Sequence, residues 1–144
     1  LKLLAHLKAA KAYSELSRAQ RLKVGAVLVK DDRIISVGYN GTPAGGSNEC
    51  EYLDPIEGLT TKAEVVHAEM NAIAFAARNG VNTDGCTMVV THSPCFECSK
   101  LLVQSGVKEI YYETEYRLVD ALEFLRAHNV IVEKIDDETK TRST

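Results

Sequence analysis

Apolar positions near the start of the chain recur at helical spacing. Ala5, Ala9, Ala12, Tyr13 and Leu16 fall on one side, and Lys8, Lys11, Glu15 and Arg18 form a polar stripe on the other. This pattern predicts a helix over residues 2–18. The period then changes. Val24 to Val29 is a short, β-branched apolar run, Asp31-Asp32 marks a turn, and Arg33 to Gly38 reads as a second strand, so an antiparallel hairpin is predicted. Residues 40–61 are rich in Gly, Pro, Asn, Ser and Thr and read as one long loop. Loops of that length in compact domains are usually functional or disordered. A helix follows, running through Asn79 and stopped by Gly80. Beyond it, strands at Cys86–Thr91, Lys108–Glu113 and Val130–Ile135 alternate with helices at Cys95–Ser105 and Leu118–His128. The polar tail from Asp136 is expected to fray.

The predicted order is α-β-β-α-β-α-β-α-β, with no internal repeat. Strands joined by helices run parallel through right-handed crossovers. The fold class is therefore α/β: a three-layer α/β/α sandwich with a mixed five-stranded sheet in the order 2-1-3-4-5 and its first pair antiparallel. The 144 residues are read as a single domain, 1–144, a size at which roughly 68–70% of the unfolded surface is buried. Hydrophobic content of 45% and charged content of 26% are ordinary for a globular protein. A net charge of -3 and a pI of 5.8 argue against a nucleic-acid partner, which calls for a basic face. No apolar run approaches the ~18 residues of a membrane span, and Leu1 to Lys8 does not read as a signal peptide. Four cysteines are too few for a disulfide scaffold and suit the reducing cytoplasm.

The chemistry is concentrated in two short blocks. His67-Ala68-Glu69 supplies an imidazole and a carboxylate, and Pro94-Cys95-Phe96-Glu97-Cys98 supplies two thiols. His67, Cys95 and Cys98 are three suitable zinc ligands that leave a fourth position open for water, with Glu69 left over as the catalytic proton carrier. Cys95 and Cys98 are three apart, so both reach one ion from a first helical turn. Pro94 suits a helix start, and Ser93 is placed to cap it. The positive end of that helix favours thiolates. His67 and Glu69 are two apart, which in a mature helix means a divergence of about 200°. They serve one centre only if the helix begins close to His67 and the metal lies beyond its N-terminus. Thr61 with Glu64 offers a rival capping box earlier in the chain, but convergence requires the later start. A purely structural zinc site would normally close with four ligands, and Cys50 is a poor candidate for the fourth.

The order H-x-E … P-C-x-x-C is the pattern of zinc nucleobase deaminases. Together with Val24-Gly25-Ala26-Val27, Gly38-Tyr39-Asn40-Gly41-Thr42-Pro43 and the extended block His67 to Ile73, it makes the chain resemble the deoxycytidylate (dCMP) deaminases of the cytidine deaminase-like superfamily. The resemblance runs from about Ala9 to Val132. It implies a hydrolase that converts dCMP and water to dUMP and ammonia, feeding thymidylate synthesis. It further implies that Asn40 contacts the substrate sugar, that the Ala68 N–H contacts the pyrimidine carbonyl, and that Ser93 and Tyr116 lie near the nucleotide. Many members of that family are hexamers activated by dCTP and inhibited by dTTP with Mg²⁺. The matching regulatory positions are Gly38, Tyr39, Asn40, Gly41, Phe75 and Arg78.

On their chemistry alone these residues have plainer roles too. Gly38 and Gly41 suit a backbone turn, Asn40 a turn cap, Phe75 a core and Arg78 a solvated helix face. Arg21 and Lys23 suit either a phosphate or a solubilising pair. A tRNA adenosine deaminase would share both zinc blocks but calls for a basic surface, which Asp136, Asp137 and Glu138 oppose. Free cytidine deaminases generally lack the last helix–strand crossover. A non-catalytic zinc module would have no use for Glu69.

Overall fold

The computed structural model describes residues 1–116 and 119–136. Helix α1 (Leu3–Ser14) buries Leu3, His6, Leu7, Ala10 and Ser14. The face predicted as apolar is not the buried one: Tyr13 and Leu16 are exposed. Alanines offer little area to bury, so Leu3 and Leu7 decide which side turns inward. The helix also stops four residues earlier than predicted. Ser14 turns its hydroxyl back to the Lys11 carbonyl, and Ser17 and Ala19 are tucked inward beyond the helix end.

Strand β1 (Gly25–Lys30) is buried almost throughout, because it has a neighbour on each edge and helices on both faces. It pairs antiparallel with β2 (Arg33–Tyr39) and, on its other edge, antiparallel with β5 (Thr87–His92). Strands β5, β6 (Glu109–Thr114) and β7 (Ile131–Lys134) are mutually parallel. Helices α2 (Ala68–Arg78), α3 (Phe96–Gln104) and α4 (Val119–Ala127) complete the main unit. Leu118, the predicted first residue of α4, lies outside the described residues, as does the predicted frayed tail beyond Asp136.

Side chains alternate across the sheet and build two cores. Ala26, Leu28, Met88, Val90, Ile110 and Val132 face Ala72, Leu102, Leu122 and Leu125 of α2–α4. Val27, Val29 and Val89 face Leu3, Leu7 and Ala10 of α1. The sandwich thus has three layers, with α1 on one face and α2, α3 and α4 on the other. Two glycines allow the helices to come this close. A Cβ on Gly25 would run into backbone atoms of Ala10 and Ser14, and one on Gly38 into backbone atoms of Ala68 and Ala72.

The predicted long loop contains a second, two-stranded sheet. Strands β3 (Glu51–Asp54) and β4 (Gly58–Thr61) pair antiparallel. Asp54 organises their turn by accepting the N–H groups of Ile56 and Glu57 at 2.8 and 2.9 Å. This hairpin shifts the strand numbering, so the main sheet reads β2-β1-β5-β6-β7 where 2-1-3-4-5 was predicted. The hairpin carries no clear apolar alternation: Tyr52, Leu53 and Leu59 are all exposed. Among the described residues no helix is long and apolar enough to cross a membrane.

Candidate active site

The start of α2 is fixed from outside the helix. Gly41 and Val66 exchange backbone hydrogen bonds at 3.1 and 2.8 Å, which fixes the segment leading into His67. Asn71 donates from its side-chain amide to the Tyr39 carbonyl at 2.8 Å. Ser36 donates from its hydroxyl to the Ala72 carbonyl at 2.7 Å. As a result His67 stands at the N-cap in extended conformation and Ala68 is the first helical residue. The later of the two possible helix starts is the one realised.

Helix α3 begins in the same way. Cys95 is its extended N-cap, and the Cys98 N–H approaches the Cys95 sulfur at 3.4 Å. Ser93 does not cap this helix as predicted. It lies two residues too early, and its hydroxyl instead accepts the Tyr116 N–H at 2.9 Å.

The two helix starts meet. His67 Nδ1 is 3.4 Å from the sulfurs of both Cys95 and Cys98. Ligand atoms of these three residues all lie within 4.8 Å of one another. A tetrahedral zinc with ordinary Zn–S and Zn–N distances places such donors about 3.5 Å apart, so the spacing fits that ion. The Cys95 thiol is pushed down to about 3, first by its hydrogen bond with the Cys98 side chain and further by His67, against the opposing effect of burial. A ready thiolate is the form a metal needs. The residues expected as metal ligands are therefore brought together. Cys50 does not join the group, and burial pushes its thiol up.

Glu69 is buried and is the second residue of α2. With His67, Ala68 and Cys95 it lines a cavity of about 270 Å³. The other expected substrate residues, Asn40, Ser93 and Tyr116, reach the same cavity, and so does Arg21. The Ala68 N–H belongs to the first helical turn, whose amides have no acceptor within the helix. Asn40 is already heavily used: its side chain accepts the Val24 N–H at 2.9 Å and donates to the Leu22 carbonyl at 2.8 Å.

The residues expected to be regulatory divide. Tyr39, Asn40 and Gly41 line a second cavity of about 590 Å³, together with Arg18 and Lys23. Lys23 is thus separated from Arg21, which faces the first cavity. Gly38 lines neither cavity and serves the close packing of α2 on β2. Phe75 and Arg78 also lie on α2 outside both cavities, and Phe75 is exposed.

Sequence reading missed His92 and Glu51, which line the first cavity. His92 stands edge-on to Tyr116 with ring centroids 6.1 Å apart, and desolvation lowers its pKa. Neither residue belongs to a recognisable spacing, so no local signal marked them.

Comparison with known proteins agrees with this geometry. The family model for the cytidine and deoxycytidylate deaminase zinc-binding region matches residues 2–114. The chain is 40% identical over 125 residues to ComE operon protein 2 of Bacillus subtilis, covering 83% of this chain and 64% of that protein's length. It is 38% identical over 140 residues to the deoxycytidylate deaminase of Enterobacteria phage T4, covering 72% of each. The crystal structure of dCMP deaminase from the cyanophage S-TIM5 in complex with dCMP and dUMP superposes with a TM-score of 0.83 at 42% identity, covering 90% of this chain and 93% of that one.

Proposed function

This chain belongs to the cytidine and deoxycytidylate deaminase family, an enzyme family with a zinc-binding region, and on that footing we propose that it hydrolyses dCMP to dUMP and ammonia. The observation that carries the reading is the convergence of His67, Cys95 and Cys98 at two helix starts beside the buried carboxylate of Glu69. Those three residues would hold a zinc ion, which would supply the Lewis acid that makes water a nucleophile near neutral pH.

The remaining chemistry belongs to the chain. Glu69 takes a proton from the attacking water and delivers one to the ring nitrogen next to the reacting carbon. It then takes the remaining proton from the hydroxyl now on that carbon and passes it to the amine; the C–N bond breaks, ammonia leaves, and the oxygen of water stays on the ring as the carbonyl. Such proton transfer typically contributes on the order of 10²–10⁴ in rate. The Ala68 N–H offers a donor to the pyrimidine carbonyl. The ring of Tyr116 and the Ser93 segment wall the nucleotide, Asn40 faces the sugar, and Arg21 faces the phosphate.

The second cavity suits a regulatory nucleotide, dCTP as activator and dTTP with Mg²⁺ as inhibitor. Lys23 and Arg18 there are cations suited to a triphosphate. Phe75 and Arg78 lie outside this cavity, so they act on the regulatory ligand only where a second copy brings them to it. That requirement accords with a homo-oligomer, a hexamer by family resemblance. The single domain acts in the cytoplasm in this reading, and its four free cysteines suit that compartment.

The test is ammonia release from deoxycytidine, dCMP and dCTP, each with and without dCTP or dTTP as effector. Selective turnover of dCMP, raised by dCTP and suppressed by dTTP, is the expected result. Equal turnover of all three substrates defeats the assignment of dCMP. Light scattering on the same protein reads the oligomeric state.

A further inference from the structure

We infer that the β3–β4 hairpin aims Arg21 at the substrate phosphate, with Thr61 and Glu51 as positioning residues. The inference rests on the proposed dCMP reaction, in which Arg21 faces the phosphate, and adds the element that orients it.

Among the described residues Arg21 is the one lysine or arginine that lines the first cavity. It stands in the irregular segment between α1 and β1, so no helix or strand of its own fixes its direction. Two contacts from the hairpin do so instead. Glu51, the first residue of β3, uses its carboxylate oxygen Oε2 to accept the Gln20 N–H at 2.8 Å and the Arg21 N–H at 3.0 Å. Thr61, the last residue of β4, accepts a hydrogen bond from Arg21 Nη1 on its Oγ1 at 3.2 Å. Glu51 and Thr61 are direct cross-strand partners, so their side chains leave the hairpin on the same face. Both line the cavity. One of them thus holds the root of the arginine and the other holds its tip.

A long arginine side chain gives up rotamer freedom when it captures an anion, and fixing it beforehand lowers that cost. The bond to Thr61 uses one of the five guanidinium N–H donors. The others have no partner among the described residues, which leaves the fork open for paired bonds to phosphate oxygens. Glu51 itself does not touch the ligand. Its Oε2 is spent on backbone donors, and its Oε1 is sealed from solvent. It acts through Arg21.

The experiment uses the full zinc-loaded chain. It measures kcat and KM for dCMP, and the inhibition constants of dUMP and of deoxyuridine, which lacks only the phosphate. Thr61→Val should raise KM for dCMP and the dUMP constant about three- to tenfold, the size of one lost hydrogen bond, and should change kcat less than about twofold. The deoxyuridine constant should not move, and Thr61→Ser should behave as wild type. Glu51→Ala should also raise KM for dCMP. By charge alone, removal of a carboxylate would lower it, so a fall in KM overturns the positioning role of Glu51. In an Arg21→Ala background Thr61→Val should add nothing, because the two residues act as one unit. An unchanged dUMP constant in Thr61→Val, equal weakening of dUMP and deoxyuridine, or an additive effect in the Arg21→Ala background overturns the inference. Absence of dCMP turnover by the wild-type chain overturns the reaction itself, and this inference with it; dCMP turnover with any of those three results overturns this inference alone.

Discussion

His67 and Cys95 occupy N-cap positions that most helices give to Ser, Thr, Asp or Asn. Each helix thus turns the partial positive charge of its first turn toward the three donor side chains and the first cavity. Glu69 comes two residues after one of these caps and stays out of the donor group. It can therefore carry protons without being needed as a ligand. Glu69→Gln should keep about one zinc per chain by elemental analysis yet lose at least about 10²-fold in turnover. Full activity in a zinc-replete Gln variant would remove Glu69 from the mechanism. These residues were legible in the sequence because metal ligation restricts both residue type and spacing. Glu51 and His92 were not, because nothing about a single acidic residue or histidine distinguishes a cavity wall from a solvated surface. Asn40 was legible as important, but its bonds to Leu22 and Val24 show that much of its work is to hold the chain entering β1.

Elements position these residues through backbone contacts that leave little room. Gly38 lies directly under the start of α2, where an added Cβ meets backbone that cannot rotate away. Gly38→Ala should destabilise the protein by about 1–3 kcal/mol in denaturant titration, and it should lower turnover because the helix carrying His67 and Glu69 must move. A fully active, equally stable variant would show that α2 has slack.

At the far end of the same hairpin, Asp32 ties α1 to the β1–β2 turn. It accepts the Lys2 N–H and the His6 ring nitrogen, both at 2.8 Å. These bonds, the Lys2 N–H foremost, hold the Asp32 carboxyl below its ordinary 3.8. A depressed carboxylate pKa contributes stability that is complete above the unfolded value and is lost as pH falls through the folded one. Stability should therefore decline more steeply below pH ~4 in the wild type than in Asp32→Asn; identical slopes in acid unfolding curves would discount the tie. The strands of the main sheet were legible because burial on one or both faces imposes β-branched or alternating apolar runs. The β3–β4 hairpin was not, because it is held by turn chemistry and backbone pairing with exposed side chains. The buried face of α1 was misread because its alanines carry almost no hydrophobic contrast.

At the scale of the whole molecule, the two cavities share the wall formed by Asn40 and Cys50. Arg21 lies on one side and Lys23 on the other, two residues apart in sequence. The proposed roles separate them experimentally. Arg21→Ala should raise KM for dCMP roughly tenfold, the size of one lost bond to a charged group. Lys23→Ala should instead shift the effector concentration needed for half-maximal response. Identical effects of the two substitutions would mean that one nucleotide contacts both residues. The sheet topology also orders events during synthesis. Strand β1 pairs on one edge with β2, which follows it directly, but on the other edge with β5, which emerges only after α2. Until then a strongly apolar strand presents an open edge, the feature most prone to pairing with another chain. The same delay keeps His67 apart from Cys95 and Cys98. A nascent chain paused between Gly80 and Cys86 is therefore both adhesive and unable to assemble its three-donor centre. The three-donor centre can be completed only once Cys98 has followed.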